Sequence, residues 1–505
     1  MYSQIITYPI IFQALIAVLL MFFWGRPNLQ RKISIIGSSL ATLVAIWLFV
    51  HTWQNGMHFI QMGNWEAPFG ITLVADTFAV TLVLLAHIVA LAVSIFSNVG
   101  IIAARIKFGY FPIFHLMIMG LSGAFLTGDI FNLYVWFEVI IISSFVLLTI
   151  GGKKNQIEGA VKYFTLNMLA SIVFLTAIGM LYGATGTLNM AELATIIPTI
   201  ENKSLIEIIA LCFLIAFGVK AGIFPLYFWL PAAYHTPPSA VSALFGGLLT
   251  KLGVYAMIRV FTLVFPFDAF DYSILQVIGI LTILTGGIGA FVQKDIIKAF
   301  AYLIICHIGF MIVGLGMGTK LALIGAIFYM IHDIIVKANL FFISGITSRI
   351  AGSSKLENMG GILNNYPKLA VLFFIPLFSL VGIPPLSGFW PKISLFGAAV
   401  STENYWVLAA LIIGSFITLV IIAKIWLKVF SKKLPKRPAL KNFKYFSSFN
   451  KMQKVSLVVP IVILSFISLY IGFSAESIQI LVERIADELG NKYLYIDMVM
   501  TSVKN

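Results

Sequence analysis

Apolar runs follow one another along nearly the whole chain, each continuous for about 20 residues and each closed by a short polar or charged segment. The runs do not alternate apolar with polar, so they read as membrane-spanning helices and exclude a spanning β-barrel. On a window of about 19 residues they resolve into about fourteen spans, beginning near Ile5, Ile33, Ile71, Gly109, Ile130, Gly159, Leu205, Ser239, Tyr272, Ile296, Leu321, Tyr366, Tyr405 and Val455. The first run, Ile5 to Trp24, is too long for a signal-peptide core, has no basic segment before it and no small-residue cleavage site after it, so it is expected to be the first span. The fold class this predicts is an all-α polytopic membrane protein.

Within this pattern the chain repeats itself. "GAVKYF" at Gly159 matches "GAIFYM" at Gly325 at an offset of 166, and "GDIFN" around Asp129 matches "KDIIK" around Asp295 at the same offset. "GIFPLYFWLP" from Gly222 matches "GIPPLSGFWP" from Gly382 at an offset of 160. The unit is five spans, 4–8 and 9–13. An odd number of spans makes the second copy enter the membrane from the other side, an inverted repeat of the kind ion-coupled transporters use. The expected divisions are 1–108 for spans 1–3, 109–265 for the first repeat, 266–430 for the second, and 431–505 for a basic loop, span 14 and an outer-side tail. Gly and Pro in the third match interrupt the helical hydrogen-bond ladder, so spans 7 and 12 are expected to be broken and to line a hydrated interior.

Charge fixes the orientation. Net charge is +14, yet only 10% of the 505 residues are charged, against about 25% in soluble chains, and mean hydropathy is +1.01. Such an excess could signal nucleic acid, but the basic residues cluster in alternate loops: Arg26, Arg31 and Lys32; Arg105 and Lys107; Lys153 and Lys154; Lys294; Arg349, Lys355 and Lys368; and "KKLPKRPALKNFK". The opposite loops carry Glu66, Asp129, Glu192, Glu201, Asp268, Asp271 and Glu403. The positive-inside rule then puts both termini outside. Cys212 and Cys306 lie in apolar runs without metal spacing.

The ionisable residues inside the spans are the candidate chemistry. Glu138 lies in span 5, Lys220 in span 7, Lys251 in span 8, His307 in span 10, His332, Asp333 and Lys337 in span 11, and Lys392 in span 12; His235 lies between spans 7 and 8. Four central lysines and one glutamate would cost on the order of 10–15 kcal/mol if left facing lipid, so they are expected to face one another and water. Lys162 and Lys298 sit in first turns, where snorkelling accounts for them. Glu138 is the expected partner of Lys220: an acidic neighbour favours the charged lysine, and separating the pair in a dry interior favours the neutral one. A lysine switched in this way takes up and releases a proton, and His235, His307 and His332 have side chains suited to relaying it. Asp333 beside His332 reads equally well as a local structural pair. No phosphate-binding loop, metal spacing or nucleophile triad is present. The segment "ESIQILVERIADELGNKYLYIDMVM" has apolar residues at helical spacing, fitting an interfacial helix, a partner contact or an ordinary tail.

These residues resemble the antiporter-like family shared by Mrp-type multisubunit sodium/proton antiporters and the membrane arm of respiratory complex I. The likeness covers roughly spans 3 to 13 and is carried chiefly by "VKAGIFPLYFWLP…H…PSAVSALFGG" and "GIPPLSGFWPK". The family's mid-membrane acid falls on Glu138 and its lysines on Lys220, Lys251 and Lys392. "FEVIIISSFVLL" and "HDIIVKANLFF" are most similar to the D-type branch of Mrp membrane subunits. The resemblance implies a secondary-transporter subunit of a prokaryotic plasma membrane, not an enzyme, with no cofactor. It would move protons along a central Glu/Lys/His axis, with other membrane subunits as partners. Two half-channels would join Lys220 and Lys251 to one side and Lys392 to the other, with Lys337 between them. The alternatives are a proton-pumping subunit of a complex I-type or hydrogenase complex, and a structural subunit whose buried charges only lock helices together.

Overall fold

The computed structural model describes residues 2–265, 270–435 and 444–500. Asp268 and much of the basic loop before the last span lie outside them. Among the described residues twelve helices are long and apolar enough to cross a membrane. They are α1 (Tyr8–Phe22, extended by a turn from Gln4), α2 (Pro27–Asn55), α3 (Thr77–Gly100), α5 (Ile130–Thr149), α6 (Lys154–Thr185), α7 (Lys203–Ala221), α9 (Ser239–Leu263), α10 (Ser273–Val292), α11 (Ile296–Gly316), α12 (Lys320–Ala351), α15 (Tyr405–Ser431) and α16 (Lys451–Phe473). Two shorter apolar helices, α4 (Tyr110–Leu126) and α13 (Pro367–Val381), complete the bundle, with α8 (Trp229–Tyr234) and α14 (Phe389–Ser401) following breaks. The chain ends in α17 (Ala475–Gly490) and α18 (Lys492–Met500).

The third span begins later than its hydropathy suggests. Residues Thr72–Ala75 form a strand antiparallel to His58–Gln61, and α3 starts at Thr77, capped by the Asp76 carboxylate on the Ala79 amide. Hydropathy alone cannot separate an apolar strand of four residues from the first turn of a helix.

Both aspartates of the repeated "D-I" motif are helix N-caps. Asp129 accepts from the Asn132 amide at the start of α5, and Asp295 from the Ile297 amide at the start of α11. Each also bridges backbone to a residue 60 positions on, Asp129 to Asn189 and Asp295 to Lys355. Helices α6 and α12 are both 32 residues long. Gly159 and Gly325 let these long helices approach α8 and α14: a Cβ would lie 2.6 Å from the Ala232 carbonyl oxygen at the first and 2.8 Å from Leu395 Cγ at the second.

Spans 7 and 12 are broken. Helix α7 ends on Gly222 and α13 on Gly382, both with φ above +80°, a conformation that glycine adopts without strain. In each, the second half-helix starts seven residues after that glycine.

The hairpin packs with the N-terminal turn and with α18, so both described chain ends sit at one end of the bundle. At the other, the Leu356 amide donates to Lys294 and the Gly361 amide to Lys432, joining the loops after α10, α12 and α15. The C-terminal segment folds back on the bundle: on α17, Arg484 donates to the Trp53 carbonyl at 2.7 Å, and Glu488 accepts from the Thr77 hydroxyl at 2.6 Å.

Candidate functional site: a buried row of lysines

Helix α12 is buried along nearly its whole length, an unusual setting for "YMIHDIIVKANLFF" and one that packing on every side imposes. It carries His332, Asp333 and Lys337 into the middle of the bundle, all with no exposed surface. Asp333 is the hub. Its Oδ2 lies 2.6 Å from Lys251 Nζ on α9; its Oδ1 lies 3.3 Å from His307 Nδ1 on α11 and 3.9 Å from Lys337 Nζ one turn further along α12. Asp333 therefore pairs across the bundle rather than with its neighbour His332. The i,i+4 spacing of Asp333 and Lys337 was a legible sign that they share a face; the partnership with Lys251 had no local sign.

Lys251 follows a π-helical turn, Phe245–Leu249, inside α9. Its ammonium also donates to the Gly246 carbonyl of that turn at 2.7 Å, so one lysine holds a carboxylate and a backbone oxygen. On the other side of the hub, His307 Nε2 lies 3.2 Å from the Thr418 hydroxyl, which is 2.8 Å from the Gly414 carbonyl.

The two outlying lysines depend on the helix breaks. Lys220 lies in the last turn of α7, where the carbonyl end of a half-helix favours a cation. Lys392 on α14 reaches back across the second break and donates to the Val381 carbonyl, the last of α13, at 2.6 Å. Aromatic faces flank both ammoniums, Phe137 at 4.7 Å and Phe310 at 5.6 Å. The expected direct pair of Glu138 and Lys220 is not formed: Ser171 of α6 stands between them, its hydroxyl donating to the Glu138 carboxylate and accepting from Lys220 Nζ at 3.3 Å. Glu138 itself is half-buried on α5. Sequence reasoning missed Ser171, since a serine in an apolar helix carries no distinguishing sign.

Beside Lys220 lies a cavity of about 20 Å³, room for one water, which reaches α9 at Leu249 and Leu252. Phe137, Tyr163, Asn167, Leu249 and Leu252 line it with Lys220. Beyond the hub, His332 Nδ1 lies 2.8 Å from the Ser387 hydroxyl, which joins Ser379 at 2.6 Å and Ser468 of α16 at 2.9 Å. His235 is not part of the row. It sits half-buried after α8, its Nδ1 donating to the Pro231 carbonyl at 2.7 Å, between surface cavities of about 320 and 300 Å³. A further buried pair, Arg259 of α9 with Asp76, also lies outside the row, its guanidinium among Phe78, Tyr255 and Tyr495.

Residues 127–418, more than half of the chain and all of the row, match the family described as NADH:quinone oxidoreductase/Mrp antiporter, transmembrane. The chain belongs to this antiporter family. Its similarity to the D-type subunit of the Na(+)/H(+) antiporter of Alkalihalophilus pseudofirmus is 41% identity over 499 residues, 99% of either chain. Among solved structures, a chain of the Mrp complex from a Dietzia species superposes with a TM-score of 0.89 at 25% identity, with 99% of both chains covered. A chain of the archaeal membrane-bound sulfane sulfur reductase, a respiratory membrane complex, gives 0.87 at 26% identity and the same coverage. The antiporter family thus accounts for the helical architecture of this chain from end to end.

Proposed function

We propose that this chain is the proton-translocating membrane subunit of a multisubunit sodium/proton antiporter, working with other membrane subunits in a prokaryotic plasma membrane. The observation that carries the reading is the Asp333 hub: one buried carboxylate serves two lysines and a histidine that are themselves fully buried. A carboxylate at 2.6 Å from one ammonium and 3.9 Å from the other is placed to swing toward the second, and such a move would change which lysine is held charged.

The imidazole of His307 supplies a proton position. When Thr418 donates to the Gly414 carbonyl, the ring needs hydrogen on both nitrogens to satisfy Thr418 and Asp333; when that hydroxyl turns to Nε2, the neutral ring suffices. Protons would pass from Glu138 through Ser171 to Lys220, which opens on the one-water cavity against α9, then to Lys251 and the hub, and on to Lys392 and His332. His235 would serve at the solvent end. The residue pairs at offsets of 160 and 166 support an inverted repeat of 109–265 and 266–430 around this row, with one half-channel for each half. The basic loops support placing both termini outside.

Sodium is handled elsewhere in the complex on this reading. A hard cation takes several oxygens, and the single carboxylate at the centre is already shared by three nitrogens. The likeness to the respiratory complex favours a second reading, a redox-driven pump subunit. The 41% identity over the whole length to a named antiporter subunit weighs against it. The test is sodium-driven proton exchange in vesicles carrying the complete complex, wild type against Lys251→Ala, with co-purification to verify assembly. Lost exchange in an intact complex is expected. Normal exchange would move the proton path away from Lys251, and a complex that falls apart would favour the purely structural role.

A further inference from the structure

Where the loops after α3, α5 and α8 and the segment before α16 meet the start of α2 and the end of α12 lies a cavity of about 760 Å³, separate from the lysine row. Arg31, Arg105, Lys153, Arg349 and Lys444 line it, and among the described residues no carboxylate does. Among the described residues none of the five forms an ion pair. Residues 436–443, which precede Lys444 in the sequence, contain no Asp or Glu.

Two of the five are held in place by neutral oxygens that leave their charge uncompensated. Arg31 donates to Asn28 Oδ1 at 2.9 Å and to the Ile101 carbonyl at 3.2 Å, while its Nε is buried without a partner among the described residues. Arg349 donates to the Gly100 carbonyl at 3.4 Å, and its guanidinium lies 5.3 Å from the Phe449 ring centroid. Setting the orientation of a membrane protein requires basic residues in these loops. It does not require that cations from five separate segments converge on one concavity and lack counter-ions there.

The depth and the lining say what would fill it. The cavity lies where α2, α6, α9 and α16 begin and α3 and α12 end, the level at which phosphates of a bilayer leaflet sit. Its other wall is apolar, with Phe96, Val99 and Ile101, and Ile102 is exposed beside it. We propose that this cavity is a headgroup site for an acidic phospholipid, the guanidiniums and ammoniums taking the phosphodiester and the apolar wall the start of its acyl chains. Arginine suits phosphate oxygens because its donors are planar and forked.

The experiment uses the complete complex in lipid nanodiscs of phosphatidylcholine with phosphatidylglycerol, washed with detergent, the retained lipid counted by mass spectrometry. Wild type should keep phosphatidylglycerol in preference to phosphatidylcholine, and R31Q/R349Q should hold it about 30-fold more weakly. K153Q/K444Q changes two exposed side chains and should also weaken retention; it decides the matter if the arginine variant does not assemble. Equal retention of both lipids, or unchanged retention in K153Q/K444Q, would overturn the proposal. So would displacement by glycerol 3-phosphate as effective as displacement by the lipid, which would make this a soluble-phosphate site. Loss of a partner subunit from either variant would make it a protein contact instead.

Discussion

Asp333→Asn tests the hub most directly. At an effective dielectric of about 20, unit charges attract by about 6 kcal/mol at the Lys251 separation of 2.6 Å and about 4 kcal/mol at the Lys337 separation of 3.9 Å. Amide for carboxylate removes both attractions and leaves two ammoniums buried in one place, with only the Gly246 carbonyl still bound to Lys251. Desolvation offsets part of the gross attraction in the native protein, so the net loss on breaking such a pair is about 3–5 kcal/mol. Denaturant unfolding of the purified complex should register that loss. Adding Lys251→Met to Asp333→Asn should restore about 2 kcal/mol or more, because the uncompensated ammonium then goes as well. Exchange should be lost in the single and the double variant alike. The reasoning fails if Asp333→Asn exchanges protons at the wild-type rate, or if the two substitutions simply add.

Ser171→Ala removes the hydroxyl between Glu138 and Lys220, so exchange should slow while subunit composition, read by co-purification, stays unchanged. Gly388→Ala puts a methyl group against the Ser379 carbonyl and 2.9 Å from the His332 ring; the second break should be overpacked by about 1–3 kcal/mol, seen as a lower unfolding midpoint. Burial pulls the His235 imidazole below its ordinary value, aided by Lys298 and opposed by the Pro231 carbonyl, Asp295 and Glu158. Lys153, Lys154 and Lys162 line the same cavities. Because the folded chain holds this proton less tightly than the unfolded one, His235 contributes full stability above about pH 6.5 and loses it as pH falls. His235→Gln should therefore flatten the acid side of a stability profile measured between pH 5 and 7; an unchanged slope would contradict the burial argument.

What the sequence determined by itself was everything that depends on short separations. Span positions, apart from the start of the third, follow from local hydropathy, and the breaks at Gly222 and Gly382 from glycine and proline acting on their own turns. The expectation that Lys220, Lys251, Lys337 and Lys392 are buried follows from their depth in apolar runs. The likeness of Asp129 to Asp295 was legible for the same reason, since an N-cap acts on the amides just after it. Only the tertiary structure decided which charge meets which. Asp333 and Lys251 are 82 positions apart, and their 2.6 Å contact depends on how α9 and α12 rotate against each other. A rotation of one helix by a single residue step turns a side chain by about 100°, and hydropathy does not fix that angle in helices apolar on every face. That is why the match of Glu138 to Lys220 is legible in the sequence while Ser171 between them is not, and why a local pairing of Asp333 with His332 stays open until the structure places Asp333 across from Lys251.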